Sequence, residues 1–324
     1  AFEIWKENLQ KVNLINEANL SWKATIENQF GDISSEQFIK TILMQHSLPQ
    51  TNQNNNYINN DNNNNNLKKN KQFKTSPTNY DWRDYGAVTK VHDQGSVGTC
   101  WAFSTIGNIE GQWFLSKGEL VDLSEEYLVD CDGSSDATHA DCSVFGGWPY
   151  LAYDFIIKSG GVPTEENDPY CAGTGDCYPC MLGPVKLCGP PPYYCDETIP
   201  QSCSSKPLYA TISNWTSISS DETIIRDTLV NTGPLSVLLD ATQLQYYKEG
   251  IWVGHIDSSP ELLGCSKTYL NHAVLLVGYG VEDNNDYWIV KNSWGEKWGE
   301  SGYFRILRGV GECGINTAVT TSFV

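Results

Sequence analysis

Cys100 sits between a glycine-bearing turn, Gln94-Gly95-Ser96-Val97-Gly98-Thr99, and a run, Cys100-Trp101-Ala102-Phe103-Ser104, that reads as the start of a helix. A thiol at a helix N-terminus feels the partial positive charge of the unpaired N–H groups, which favours the nucleophilic thiolate. Gln94, six residues upstream, supplies an amide able to reach the same point. A lone cysteine is more often a small buried apolar residue, so chemistry requires partners. Asn271-His272-Ala273-Val274 places an imidazole at the start of an apolar strand, and Ile289-Val290-Lys291-Asn292-Ser293-Trp294-Gly295 places an amide at a strand end beside an indole. A thiol nucleophile needs a base to take its proton and return one to the leaving amine, and that base needs a third group to hold its ring. Taken singly, His272 reads as a core histidine and Asn292 as a turn residue. Together with Cys100 they supply nucleophile, base and orienting group for acyl transfer.

The elements that must position these groups are legible in outline. Phe2, Trp5, Leu9, Val12 and Ile15 recur at spacings of three and four, which predicts an amphipathic helix over 2–22. Asn28 to Asp32 reads as a short extended piece. Ser34 and Gln37 form a capping-box pattern opening a second helix. From about His46 to Thr75 the chain is rich in asparagine and then lysine, which reads as a disordered, cleavable linker. Beyond Pro77, Cys100 to Lys117 reads as a helix stopped by Gly118, with further helices after Ser124 and over Trp148–Lys158. Residues 171–203 hold six cysteines and Pro190, Pro191 and Pro192, the pattern of a stapled surface loop. From Leu208 onward the runs Pro234–Leu239, His272–Gly278, Asp286–Asn292 and Gly302–Leu307 read as strands. A helical half followed by a β half predicts two packed subdomains.

Composition bounds the setting. The 324 residues carry a net charge of -18, and almost all of it falls after residue 76, since residues 1–76 hold eight Lys against seven acids. Such an acidic surface excludes nucleic acid and anionic membranes as natural partners. Eleven cysteines point to an oxidising compartment and disulfides, and the odd number leaves at least one thiol unpaired. The sequons at Asn19 and Asn214 permit glycosylation on the secretory route. No apolar run is long enough to span a membrane. The chain opens inside a helix-like pattern with no signal peptide, so an upstream segment is expected.

With these residues in order, the chain resembles the papain-like cysteine proteases of the cathepsin L and cathepsin F kind. The resemblance rests on Asp81-Trp82-Arg83, Gln94-Gly95-Ser96, Cys100 to Ser104, Leu123-Ser124-Glu125 through Cys131, Gly146-Gly147, Asn271 to Val274, Gly278-Tyr279-Gly280 and Lys291 to Gly295. In the leader, Trp5, Asn8, Val12 and Asn16, then Asn28, Phe30 and Asp32, resemble propeptide motifs. It implies an α+β, papain-like fold of two subdomains, a helical left half and a β-barrel-like right half, preceded by a helical propeptide. The implied units are 1–76 for the propeptide, 77–208 for the helical subdomain and 209–324 for the β subdomain. It implies a cysteine endopeptidase zymogen with Cys100 as nucleophile, His272 as base, Asn292 orienting the imidazole under Trp294, and an oxyanion hole from the Gln94 side chain and the Cys100 N–H. Gly146, Gly147, Trp148, Pro149, Leu238, Leu270, Asn271, Ala273, Trp294 and Ala318 match substrate-binding positions, and their apolar character implies a bulky hydrophobic residue two places before the scissile bond (P2). Cys265 and Cys313 match a family disulfide. No cofactor or metal is implied. Implied partners are protein or peptide substrates, the chain's own propeptide and cystatin-like inhibitors, in a lysosomal or secreted setting, with acid releasing the leader by protonating carboxylates that hold it.

Departures from the pattern mark what needs testing. Val97 stands where the family has a cysteine, so Cys142 is expected to lack its usual partner; three residues separate Cys142 from Gly146 where the family usually has one. His272 lies 172 residues after Cys100, farther than is usual, because of the cysteine-rich loop. That loop could staple itself by disulfides or bind zinc through its cysteines; an oxidising compartment favours disulfides. It falls where cathepsin B-like exopeptidases carry an occluding insertion, but it holds no histidine, which favours an endopeptidase. A catalytically silent binding protein on the same fold is the alternative from another class.

Overall fold

The computed structural model describes residues 2–18, 20–44, 76–172, 183–190, 201–254 and 264–324. The leader comprises helix α1 (Phe2–Glu17), strand β1 (Trp22–Ala24) and helix α2 (Ser35–Thr41), whose Ser34 cap accepts a bond from the Gln37 N–H as predicted. The buried face of α1 is Asn8, Val12 and Ile15. Phe2 and Trp5, expected on the same stripe, are exposed and stack on each other, because the buried stripe starts only at Asn8. The extended segment lies at β1 rather than at Asn28–Asp32, where the Asn28 side chain accepts from the Phe30 N–H and turns the chain.

After strand β2 (Tyr80–Asp81), helix α3 (Cys100–Lys117) is buried on every side from Cys100 to Gln112. Glycines let it lie this deep: a side chain at Gly111 would meet the Pro234 ring at 2.9 Å. Gly118, at φ 78°, ends it. Helices α4 (Glu126–Cys131), α5 (Pro149–Ser159) and α6 (Val185–Cys188) follow. Next come β3 (Asn214–Ser217), helix α7 (Glu222–Thr232), β4 (Leu235–Leu239), β5 (Tyr247–Trp252), β6 (His272–Glu282), β7 (Asn285–Lys291), β8 (Tyr303–Leu307) and β9 (Val319–Phe323). Helix α7 interrupts what the sequence reads as a strand-only region. Its β-branched residues disguise it, but Asp221 caps it and Ile225 and Leu229, one turn apart, are its buried face.

The strands form one sheet in the order β1-β5-β8-β7-β6-β4-β9-β3, with β2 alongside β6. Only the β5–β8 pair is parallel. The sheet is open, with β1 and β3 at its ends, so the barrel-like closure expected of this half is not formed. Its end strand β1 comes from the leader, paired with β5.

Two apolar cores flank a cleft. One gathers Trp252, Trp288, Trp294, Trp298 and Phe304 around the sheet and takes in the leader's Phe30 and Phe38. The other packs Trp101, Ile106, Leu128, Trp148 and Tyr153 and takes in the leader's Met44. Ser104 on α3 bonds across the cleft to the Val274 carbonyl at 2.7 Å and to Ser236 at 2.6 Å. Cys265–Cys313 forms the bridge the resemblance implies, and Cys131–Cys203 and Cys142–Cys188 staple the cysteine-rich segment to the helical half as disulfides. Asn19, Cys177, Cys180 and Cys195 lie outside the described residues. Among the described residues no helix is long and apolar enough to cross a membrane.

Candidate active site

Antiparallel pairing explains how residues twenty apart in sequence meet. Strand β6 starts at His272 and β7 ends at Lys291, with Leu275 opposite Lys291, so the first residues of β6 run alongside the residues just past the end of β7. His272 Nε2 donates to Asn292 Oδ1 at 2.8 Å, and the same oxygen accepts from the Ser293 N–H at 2.9 Å. Trp294 stacks on the imidazole at 4.7 Å. His272 Nδ1 is buried and has no hydrogen-bond partner among the described residues. Cys100 opens α3, and its Sγ accepts from the N–H of Ala273, the neighbour of His272, at 3.4 Å. Gln94 is fixed by its N–H on the Ser293 carbonyl (2.8 Å) and its Oε1 on the Ser293 hydroxyl (2.6 Å), leaving Nε2 to donate. The four residues picked from the sequence are thus one cluster, with a thiol, an oriented imidazole and an amide whose Nε2 donates to the Val97 carbonyl at 2.7 Å and on into the cleft.

The ionisation differs from the expectation at the helix terminus. Burial pushes the Cys100 thiol up to about 12, outweighing the backbone donors, and pushes His272 down to about 4 against its bond to Asn292. Both groups are therefore neutral in this state. Behind them lies a buried charge cluster that sequence reading did not single out. Burial pulls His92 down, but the hydrogen-bonded Asp122 and Glu125 (3.2 and 3.1 Å) outweigh it and hold the imidazole up to about 10. Lys291, buried beside Asn292, bonds Thr89, which donates to Glu110. The acidic pair Glu125-Glu126 beside Ser124 was the available signal.

The leader accounts for the burial. The Ile42 carbonyl accepts from Gln94 Nε2 at 2.9 Å, and the Met44 N–H donates to the Asn271 carbonyl at 2.8 Å. A side chain at Gly98 would meet the Leu43 carbonyl at 3.3 Å, and one at Gly146 the Met44 side chain at 3.1 Å. Ile42-Leu43-Met44 therefore runs through the cleft with a peptide carbonyl on the Gln94 amide and Met44 in the pocket core. The leader motifs hold it there. Asn8 donates to the Gly31 and Ile33 carbonyls and accepts from Tyr246, Asn16 pairs with both backbone groups of Ala24, and Asn28 donates to the Gln245 carbonyl. Asp32 is exposed. Among the described residues no ion pair joins leader to body; the contacts seen there are amide bonding, apolar packing and one carboxylate bond, from the Ser76 hydroxyl to Asp227 at 2.6 Å.

Phe38 is an apolar anchor of the leader beside the active site, fully buried with its ring edge-on to Phe30 (5.1 Å) and Trp294 (5.3 Å). Truncating such a ring costs about 3–5 kcal/mol. Phe38→Ala in the full chain is expected to raise the rate of Cys100 alkylation by a thiol reagent at least about a hundredfold, as the detached-leader population grows. An unchanged rate would remove Phe38 as the anchor.

The remaining sequence candidates divide. Trp148, Leu238, Leu270 and Ala273 share one buried cluster with Met44, and Ala318 packs against it. Gly147 is where a side chain would collide with the Trp101 ring at 2.5 Å, and Pro149 opens α5. Asn271 offers only its carbonyl to the cleft; its side chain is locked on Asp240, Thr242 and the Ala241 N–H. Cys142, whose usual partner position is Val97, is bonded instead to Cys188. The residue one place before Phe145-Gly146, at the family's spacing, is Val144, whose carbonyl accepts from the Gly98 N–H at 2.8 Å. A valine thus stands at each end of the missing bridge.

Similarity to known proteins agrees with this geometry. Residues 76–323 match the family model for papain family cysteine proteases. Cysteine proteinase 1 of Dictyostelium discoideum is 36% identical over 337 residues, covering 100% of this chain and 86% of its own. Cathepsin F of Mus musculus is 39% identical over 249 residues, covering 77% of this chain and 46% of its own length. Among solved structures, digestive procathepsin L 3 of Tenebrio molitor larval midgut aligns with a TM-score of 0.71 at 32% identity, over 99% of this chain and 90% of that one. Recombinant stem bromelain precursor aligns with a TM-score of 0.73 at 30% identity, over 100% of this chain and 90% of that one. With this match, and with its leader laid through the cleft, the chain belongs to the papain family of cysteine proteases and is a precursor of that kind.

Proposed function

We propose that the chain is the zymogen of an endopeptidase acting through Cys100, His272 and Asn292. The observation that carries the reading is the His272–Asn292 bond at 2.8 Å under Trp294, with the Cys100 thiol held on the next residue's N–H. Once the leader leaves, His272 Nδ1 takes the thiol proton and the thiolate attacks the scissile carbonyl carbon. The carbonyl electron pair moves to oxygen, which the Cys100 N–H and Gln94 Nε2 receive; such donors are each worth about 10²–10³ in rate. His272 then protonates the leaving amine, and a water that it deprotonates hydrolyses the thioester.

Met44 indicates the pocket's taste. It fills the space among Trp148, Leu238, Leu270 and Ala273, with Ala318 at the margin, which supports a bulky apolar P2 residue. Gly146, Gly147 and the Asn271 carbonyl would pair with substrate backbone, and Pro149 fixes the strand's exit. The units are a leader of 1–76, a helical part to 208 and a β part from 209, with processing near Pro77. Disulfides support a secretory route to a lysosome or outside the cell, with glycosylation at Asn214, half-buried on β3, and inhibition by cystatin-like proteins that fill the cleft. After processing, Cys100 should be labelled by a thiol-directed epoxide, and peptides with Leu or Phe at P2 should be cleaved at least about tenfold faster than their Asp counterparts. Folded, processed protein that does neither would refute the proposal.

A further inference from the structure

The turn carrying Gln94 has no disulfide, yet it must hold an oxyanion donor at a fixed distance from the Cys100 N–H. Within the turn Gln94 Nε2 donates to the Val97 carbonyl at 2.7 Å, and a chain of hydroxyls carries the link on to Thr99. Thr99 and Tyr170 Oη lie 2.6 Å apart, and Tyr170 Oη donates to the Gln94 backbone carbonyl at 2.8 Å. The carbonyl can only accept, so the single phenolic proton points to Gln94 and Thr99 Oγ1 donates to Tyr170. One side chain thus grips both the residue that bears the side-chain donor and the residue immediately before the nucleophile.

Tyr170 is itself well anchored, at the head of the cysteine-rich loop. Its ring lies edge-on to Phe103 at 4.8 Å, its N–H donates to Glu165 at 2.9 Å, and the next N–H, of Cys171, donates to Glu126 at 3.0 Å. Two residues on, Ala172 lies against Gly95, where a side chain would meet its Cβ at 3.0 Å. The loop's first residues therefore close over the turn 94–99.

We propose that Tyr170 is a positioning residue for peptide hydrolysis, its hydroxyl setting the spacing of the two oxyanion donors in place of the absent bridge. This rests on the catalytic reading above. Those donors act on charge that exists only in the transition state, so loosening them costs kcat and not substrate binding.

Tyr170→Phe keeps the ring on Phe103 and removes only the hydroxyl. In processed enzyme, kcat for a Leu-containing peptide is expected to fall about tenfold or more, with KM within about twofold. Affinity for a peptide aldehyde should fall by the same factor. There the Cys100 sulfur bonds the aldehyde carbon, the C=O pair moves to oxygen, and that oxygen sits between the two donors. Alkylation of Cys100 by iodoacetamide, in which the sulfur displaces iodide and no oxyanion forms, should keep its rate. Thr99→Val should reproduce the pattern and Thr99→Ser should restore it. Unchanged kcat and aldehyde affinity would overturn the proposal, as would a parallel loss of alkylation with a rise in KM, the mark of plain unfolding. Wild-type enzyme that is folded yet inactive would instead sink the catalytic reading, and this proposal with it.

Discussion

Cys100→Ala in the processed enzyme is expected to lower kcat/KM for peptide hydrolysis by about 10⁵–10⁶-fold while leaving the fold intact. The size follows from how the site works as a unit. Without sulfur there is no covalent intermediate, and the orientation of His272 by Asn292 has nothing to act on. What survives is the contribution of the oxyanion donors and of substrate binding alone. The structural cost is small, because the removed atom accepts one long bond, from Ala273 at 3.4 Å, and the helix cap does not depend on it. His272→Ala should fall to a similar level, and the double variant little further, since residues of one unit are not additive. The measurement is kcat/KM against active-site-titrated wild type. A residual rate within about a hundredfold of wild type would mean that another nucleophile does the work.

The site was legible because each member sits where an element starts or stops, and such places carry local signatures. Cys100 follows a glycine turn, His272 leads an apolar strand, and Asn292 ends one before Trp-Gly. The leader's asparagines were legible as a pattern, though their purpose needed tertiary structure: Asn8, Asn16 and Asn28 bind backbone carbonyls 23, 8 and 217 residues away. What was not legible depended on packing. The partner of Cys142 lies 46 residues on, and no spacing rule points to Cys188 over five other cysteines of the loop. Helix α7 carries Thr and Ile at positions that favour strand on propensity, and only the sheet it packs near decides the matter. The open sheet could not be foreseen because one end strand, β1, is contributed by the leader. The thiol pKa shows the limit most clearly. A helix terminus is a local cause that lowers it, whereas burial under the leader is a tertiary cause that raises it, and burial is the larger.

That reversal makes the second large effect measurable. In the precursor, burial raises Cys100 to about 12 and lowers His272 to about 4, so between those values both are neutral and at pH 6 the thiol stays protonated. When the leader leaves, water and the imidazolium reach the sulfur, and a His-paired thiolate titrates near about 4. The sign is fixed by these directions: processing lowers the thiol pKa and raises that of the imidazole, so between the two values, inside the window that the precursor keeps neutral, the pair is ionised. Nucleophilicity falls as the pKa falls, with a slope of about 0.4–0.5, so only part of the gain in thiolate is read as a gain in alkylation rate. At pH 6 the processed enzyme should show the ultraviolet band of a thiolate that Cys100→Ala lacks, and the precursor should not. Detachment of the leader without cleavage should give the same band, which is why Phe38→Ala belongs in the same experiment. A precursor with the full thiolate band would mean that the leader blocks substrate by occupancy alone. The carbonyl of Ile42 on the Gln94 amide would then be the whole of the inhibition.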